Sequence, residues 1–216
     1  MTQPVSAATT TAPPRPLRQT QDERSRETRL KLMDAVVACL VEHGWSGTTT
    51  ALVSQQAGVS RGAQLHHFAS RGELVAAAVE HVGAKGVREL RSRAAGVAAV
   101  EGAGRTEAVV QLIVDFFTSP LFAAALELWV AARTDAELRA VVVPLQARLG
   151  RECHTLAVEL LHADEEQAGV REAVQATLDL ARGLALADQL LDDGARRAKI
   201  VAQWACQLET QLGEHS

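Results

Sequence analysis

The run from Thr48 to Phe68 constrains this chain more than any other stretch. Thr48-Thr49-Thr50 opens a segment of helical character ending at Gln56, Ala57-Gly58-Val59 makes a turn, and Ser60 opens a second segment reaching Phe68. Hydroxyl side chains cap helix N-termini, and Gly58 takes the positive φ of a tight turn without steric penalty while Val59 drops into the core. Both helices fall short of the ~12 residues below which a helix is marginal in water. They must therefore brace one another and the helices on either side. This is the layout of a helix-turn-helix, and its second helix presents Arg61, Gln64 and His66, long polar groups able to meet base edges in a major groove. A two-helix hairpin serving only as scaffold has the same spacing, so both readings stand at this point.

Helical periodicity continues on both sides. Leu30, Met33, Val37 and Leu40 recur at helical spacing over Asp22–His43, and Gly44 stops that helix, with Trp45 as a core plug beneath it. Ser70 caps a longer helix with Leu74, Val75, Ala78 and Val79 on its apolar face, which should end in a flexible connection near Gly96–Gly104. Further helices are expected at Arg105–Phe117, Pro120–Arg133, Asp135–His162, Glu165–Leu191 and Arg196–Leu212, with Pro144 kinking or splitting its segment. With no strand signal and a composition rich in unbranched side chains, the expected fold class is all-α. The expected division is an arm at 1–21 too polar to order itself, a helix-turn-helix unit at 22–70, and a helical unit at 71–216.

Charge is uneven. Residues 1–80 carry 8 Lys/Arg against 7 Asp/Glu, whereas residues 81–216 carry 14 against 19. Only the N-terminal part is suited to a polyanion, through Arg15, Arg18, Arg24, Arg26, Arg29 and Lys31, although a solvated charged face has the same composition. Cys39, Cys153 and Cys206 lie far apart and read as reduced thiols of a cytoplasmic protein. Asp115, Glu127 and Asp135 interrupt the best apolar runs, so no membrane span is expected. Spacing suited to a metal, a phosphate loop or a nucleophile is missing, and Cys153 and His154, adjacent on a helix, point about 100° apart. No enzyme, metal or cofactor is expected. A thiol-based sensor is the second reading, tested by Cys-to-Ser substitution.

Several motifs fall in one order. Gly44-Trp45, the Thr run, Ala57-Gly58-Val59-Ser60-Arg61-Gly62, His67-Phe68 and Ser70-Arg71-Gly72-Glu73-Leu74 together resemble the N-terminal signature of the tetracycline-repressor family over about residues 25–80. The resemblance implies phosphate contacts from Thr49 and Thr50. It implies a reading face from Arg61 through Gly62, Ala63, Gln64, Leu65 and His66, and backbone contacts from His67 and Arg71. The family carries Leu then Tyr where this chain has Gln64 then Leu65, leaving open which of the two faces inward.

For the remaining helices the resemblance implies a homodimer, a palindromic DNA operator and a small-molecule effector, with the protein most simply a repressor released by a largely apolar ligand. An activator differs only in where its operator lies. The sequence offers Val174, Leu178, Ala181 and Ala185 on one helix and Val201, Ala205, Leu208 and Leu212 on the last as an interface stripe. Phe116, Phe117, Phe122 and Trp129 are offered as cavity walls, with Arg133 and His154 as polar anchors.

Overall fold

The computed structural model describes residues 20–100, 104–191 and 193–213, so most of the expected arm, Arg15 and Arg18 included, lies outside the described residues. Among those described, every regular element is an α-helix: α1 (Gln21–Gly47), α2 (Thr50–Gln56), α3 (Arg61–His67), α4 (Arg71–Val97), α5 (Gly104–Phe117), α6 (Pro120–Ala132), α7 (Ala136–Leu161), α8 (Val170–Asp188) and α9 (Gly194–Gly213).

Local chemistry sets these boundaries. Thr20 and Glu23 form a capping box at the start of α1, each accepting from the other's backbone N–H. Thr49, Ser60, Ser70, Ser119 and Asp135 accept from the third residue of α2, α3, α4, α6 and α7 respectively. Gly44 (φ 64°) breaks α1 three residues before its end, and Gly58 (φ 66°) makes the turn between α2 and α3. The connection before α8 is longer than expected. His162 adopts φ 53° and Gly169 φ 83°, and the Asp164 carboxylate captures the Glu166 N–H, so Glu165 lies in a turn and α8 starts at Val170. Pro144 does not split α7. It and Ala140, whose carbonyl it deprives of a donor, are both exposed, so water can satisfy that carbonyl.

Two buried clusters organise the chain. One joins α1, Val53, Phe68 and the first half of α4 to Ala124, Leu128 and Ala132 of α6 and Leu138, Val142 and Leu145 of α7. The other centres on Val109, Val110 and Val114 of α5, packed against α8, α9, the end of α4 and the second half of α7. Helix α4 runs unbroken through both clusters. Gly83 is where it meets α7, since a Cβ there would lie 2.4 Å from Leu145 Cδ1.

The expected interface stripe is core. Val174, Leu178, Ala181, Ala185, Val201 and Leu208 have no exposed surface, Ala205 is buried, and Leu212 packs against the same cluster. The small residues let α8 and α9 approach α5 rather than a second subunit. Inside this layer the Trp204 indole N–H donates to the Thr177 hydroxyl at 2.9 Å, and that hydroxyl donates to the Ala173 carbonyl.

The two placements of the stripe differ in consequence. Leu178→Ala is expected to lower unfolding stability by about 2–5 kcal/mol, as for other fully buried leucines. Urea denaturation at several protein concentrations checks it: a loss independent of concentration fits a core residue, and one confined to dilute protein fits an interface.

Candidate nucleic-acid interface and cavity

Helix α3 presents a sharply divided surface. Gln64 is 2% exposed while Leu65 is 53% exposed, which settles which of the pair turns inward. The Ser54 hydroxyl lies 2.6 Å from Gln64 Oε1, joining α2 to α3 through a buried polar contact. Gln64 is thus a bracing residue and not a DNA contact. Four residues on, Phe68 fills the same inward stripe, with the Arg29 guanidinium 4.6 Å from its ring centroid.

The opposite face carries Arg61, Gly62, Leu65 and His66, all exposed, with Ala63 and His67 half-buried at its flanks. Nothing but Ser60 Oγ, at 3.9 Å, stands near the place of a Gly62 side chain, so a partner can approach the backbone there closely. Thr49 is exposed and caps α2, while Thr50 beside it is half-buried. His66 and His67 meet edge to face with centroids 5.4 Å apart. The His67 pKa is lowered, first by burial and then by the charges of His66 and Arg29. Arg71 stacks over Trp45 at 4.2 Å and donates to the Trp45 carbonyl at 3.0 Å, which fixes its guanidinium at the end of α1. Trp45 is half-buried, packing against the core cluster as expected while also carrying this Arg.

From its other side Trp45 is held by α6. Its backbone N–H, freed by the kink at Gly44, donates to Glu127 Oε2 at 3.0 Å. At Gly44 the φ of 64° would strain any side chain, and a Cβ there would lie 2.9 Å from that same oxygen, displacing Glu127. Sequence spacing alone did not reveal this contact, which joins residues 82 positions apart.

A small cavity lies between α4, α5, α6, α7 and α8, with about 40 Å³ of free space. The four expected wall residues meet there, and the two expected polar anchors do not. Phe116, Phe117, Phe122 and Trp129 form a chain of edge-to-face contacts with centroids 5.3, 5.1 and 5.5 Å apart. Arg133 is not among them. It lies in an adjoining surface cleft with Arg139, and that cleft shares Trp129 and Gln146 with the cavity. His154 is elsewhere too, its Nε2 2.6 Å from the Glu165 carboxylate, because the loop ahead of α8 folds back over this part of α7. The cavity's one charged lining residue is Arg182 of α8, which the sequence reading passed over because α8 was assigned to an interface. Its position among Leu178, Leu180, Ala181 and Leu184 was the available signal.

Cys153 also lines the cavity, but its thiol pKa is pushed up to about 11, chiefly by burial and against the pull of Arg182. Burial, then Glu42, raises that of Cys39 as well. Both thiols stay protonated, which weighs against a sensing role for either. Cys206 is exposed. Among the described residues no cluster could hold a metal ion, and no single helix is long and apolar enough to cross a membrane.

The comparisons with known proteins agree with this geometry. Residues 32–78 match the model of the bacterial regulatory proteins of the tetR family. The HTH-type transcriptional regulator CymR of Pseudomonas putida is 38% identical over 128 residues, covering 57% of this chain and 60% of that protein's length. A solved chain from Pseudomonas aeruginosa PAO1, described as a candidate transcriptional regulator, superposes with a TM-score of 0.65 at 25% identity, covering 89% of this chain and 93% of its own. The multidrug binding protein EbrR complexed with imidazole superposes with a TM-score of 0.57 at 18% identity, over 82% of this chain and 93% of its own, which bears on the fold alone. The helix-turn-helix of residues 32–78 thus matches the tetR family of bacterial regulatory proteins, inside an all-helical frame that superposes on a solved regulator.

Proposed function

We propose that this chain is a ligand-responsive transcriptional repressor that binds a palindromic DNA operator as a homodimer. The observation that carries the reading is the divided surface of α3: Gln64 and Phe68 anchor it inward, leaving Arg61, Gly62, Leu65 and His66 outward on a rigid turn. Arg61 and His66 read base edges, Leu65 supplies an apolar contact of the kind a thymine methyl accepts, and Thr49, Thr50, His67 and Arg71 set the register on phosphates. The second subunit docks on the outer face of α8 and α9, not on the buried stripe. Leu186 near the end of α8 is 58% exposed, and Leu190 and Leu191, in the connection from α8 to α9, are 89% and 74% exposed, an apolar patch of the kind that marks an interface.

The route from cavity to DNA runs through α4 and α6. Phe122 and Trp129 line the cavity from α6, and Glu127 of that helix holds Trp45 at the end of α1. Val82 and Gly86 line it from α4, whose first residue, Arg71, grips Trp45 from the other side. A ligand favouring the state that does not fit DNA need supply only ~1–3 kcal/mol of coupling for a 5–150-fold change in occupancy.

The direct test is selection of bound fragments from genomic DNA, followed by affinity measurements at two salt concentrations. Enrichment of a palindrome bound far more tightly than random DNA is expected. With Arg61→Ala, discrimination should fall by roughly 1–3 kcal/mol at one base pair. Affinity that merely tracks salt, with nothing enriched, overturns the reading. For the dimer, Leu190→Glu should shift sedimentation from a two-chain to a one-chain species; a wild type already of one chain's mass removes the claim.

Proton linkage gives a further check. The free protein holds His67 neutral near neutrality, and a phosphate against the ring favours its cation, so binding takes up a proton. Operator affinity is therefore expected to rise as pH falls through the ordinary histidine range, about 6.5. That dependence should shrink in His67→Gln. An unchanged pH slope in the variant takes His67 off the phosphate backbone.

A further inference from the structure

We infer that the cavity takes a small apolar monocarboxylate, with its hydrocarbon body among the aromatic rings and its carboxylate on Arg182. The inference rests on reading the chain as a ligand-responsive regulator, and it assigns the chemical class of the effector.

The cavity presents one charge to its interior. Phe116, Phe117, Phe122 and Trp129 stand in a largely apolar wall, and Arg182 is the one ionised group among the described lining residues. Its side chain is 24% exposed, so three quarters of it is covered by the surrounding helices. It lies 5.1 Å from the Phe117 ring centroid, at one end of the aromatic chain that leads to Trp129. A desolvated cation calls for an anion. The carboxylate it has, Asp179, sits three residues back on the same helix and is 63% exposed, the kind of surface pair that contributes little. Glu152, next to Cys153, is engaged by Arg91 at 2.6 Å, and the Cys153 thiol remains neutral. No buried acid therefore answers Arg182, whose planar fork has donors to spare for a bidentate carboxylate.

The same arithmetic of charge limits the ligand to one negative group. A dianion such as a phosphate monoester would leave its second charge against rings, with nothing to neutralise it. Positive charge also lies on the way in. Arg133 and Arg139, for which no ion pair is seen among the described residues, face the cleft that adjoins the cavity through Trp129 and Gln146. Such a rim raises the local concentration of an anion before it enters.

Size follows from the space. A cavity of roughly 150 Å³ holds benzene, whereas this one has about 40 Å³ free. The space as it stands is smaller than one ring needs, so entry of even a ring or a short alkyl chain must move the walls. Gly150 marks a side that is open, since a Cβ there would meet nothing within 4 Å. At Gly86 a Cβ would lie 3.2 Å from Leu121 and 3.3 Å from Phe116, so α4 already packs closely against the cavity wall there.

The experiment is calorimetric titration of the full chain with benzoate, phenylacetate and hexanoate, each against its neutral primary amide. At least one carboxylate is expected to bind about tenfold or more tightly than its amide, the margin of a charged hydrogen bond. Arg182→Gln should bring the ratio to near parity, and Arg182→Lys, which keeps the charge but loses the fork, should restore part of it. Equal binding of acids and amides, a preference that survives Arg182→Gln, or no binding of any acid at millimolar concentration overturns the inference. The wild-type comparison decides even if Arg182→Gln fails to fold. Fragment selection on the protein without any carboxylate separates the two readings. An enriched palindrome without acid binding leaves the regulator and removes the Arg182 site, whereas acid preference without enrichment leaves the site and removes the regulator.

Discussion

The Glu127 carboxylate ties the end of α1 to α6, beside the apolar cluster that joins the helix-turn-helix to the rest of the molecule. Helix α1 cannot continue through Gly44, whose φ of 64° throws the Trp45 N–H out of the hydrogen-bond ladder. Glu127 accepts that N–H at 3.0 Å, and it fits because residue 44 has no side chain to collide with it. Arg71 then closes on Trp45 from the opposite side through ring and carbonyl. The end of α1, the start of α4 and the middle of α6 are thus joined at one tryptophan, directly ahead of α2. Any rotation of α6 moves a charged acceptor relative to a half-buried N–H, and an unmade bond of that kind costs about 1–3 kcal/mol.

What could be read from the sequence was mostly what is decided locally. The caps at Thr49, Ser60 and Ser70 and the turn at Gly58 each involve residues within four positions of one another, and all lie where the spacing put them. The family resemblance rested on that same local stretch. Questions decided by distant partners were not legible. Periodicity showed that Val174, Leu178, Val201 and Leu208 form a stripe, but a stripe does not say what covers it, and α5 does. Gln64 and Leu65 were indistinguishable for the same reason. A glutamine is an unusual choice for a buried position, and only the Ser54 hydroxyl ten residues earlier makes it acceptable. Arg133, four positions after Trp129, and His154, on the helix that follows, were polar groups offered as anchors, yet one turned to the surface and the other to Glu165.

Gly83 and Gly86 show a related ambiguity. Glycines within a long helix suggest pliancy, yet here they serve close approach. Leu145 occupies the space over Gly83, and Phe116 with Leu121 occupies that over Gly86. With these contacts made, α4 has little freedom to bend at either residue, because interiors are close-packed and transmit displacement rather than absorb it. The helix therefore behaves as a rod between the cavity and the DNA-facing unit.

That rigidity gives the proposed regulator its leverage. Gly86 at the cavity stands 15 residues from Arg71 at the start of α4, about 22 Å along the axis at 1.5 Å per residue. Only Phe68, Ala69 and Ser70 separate α4 from α3, and Phe68 is locked in the core. In the proposed regulator, a wall displaced at Gly86 to admit a ligand would be felt at α3 as a change of tilt. In a dimer the two reading helices must meet successive major grooves at a fixed separation, so a small tilt in each subunit is doubled across the pair. A cavity already nearly full suits this arrangement better than a roomy one, since a ligand that fits without moving α4 has no differential affinity with which to shift the equilibrium.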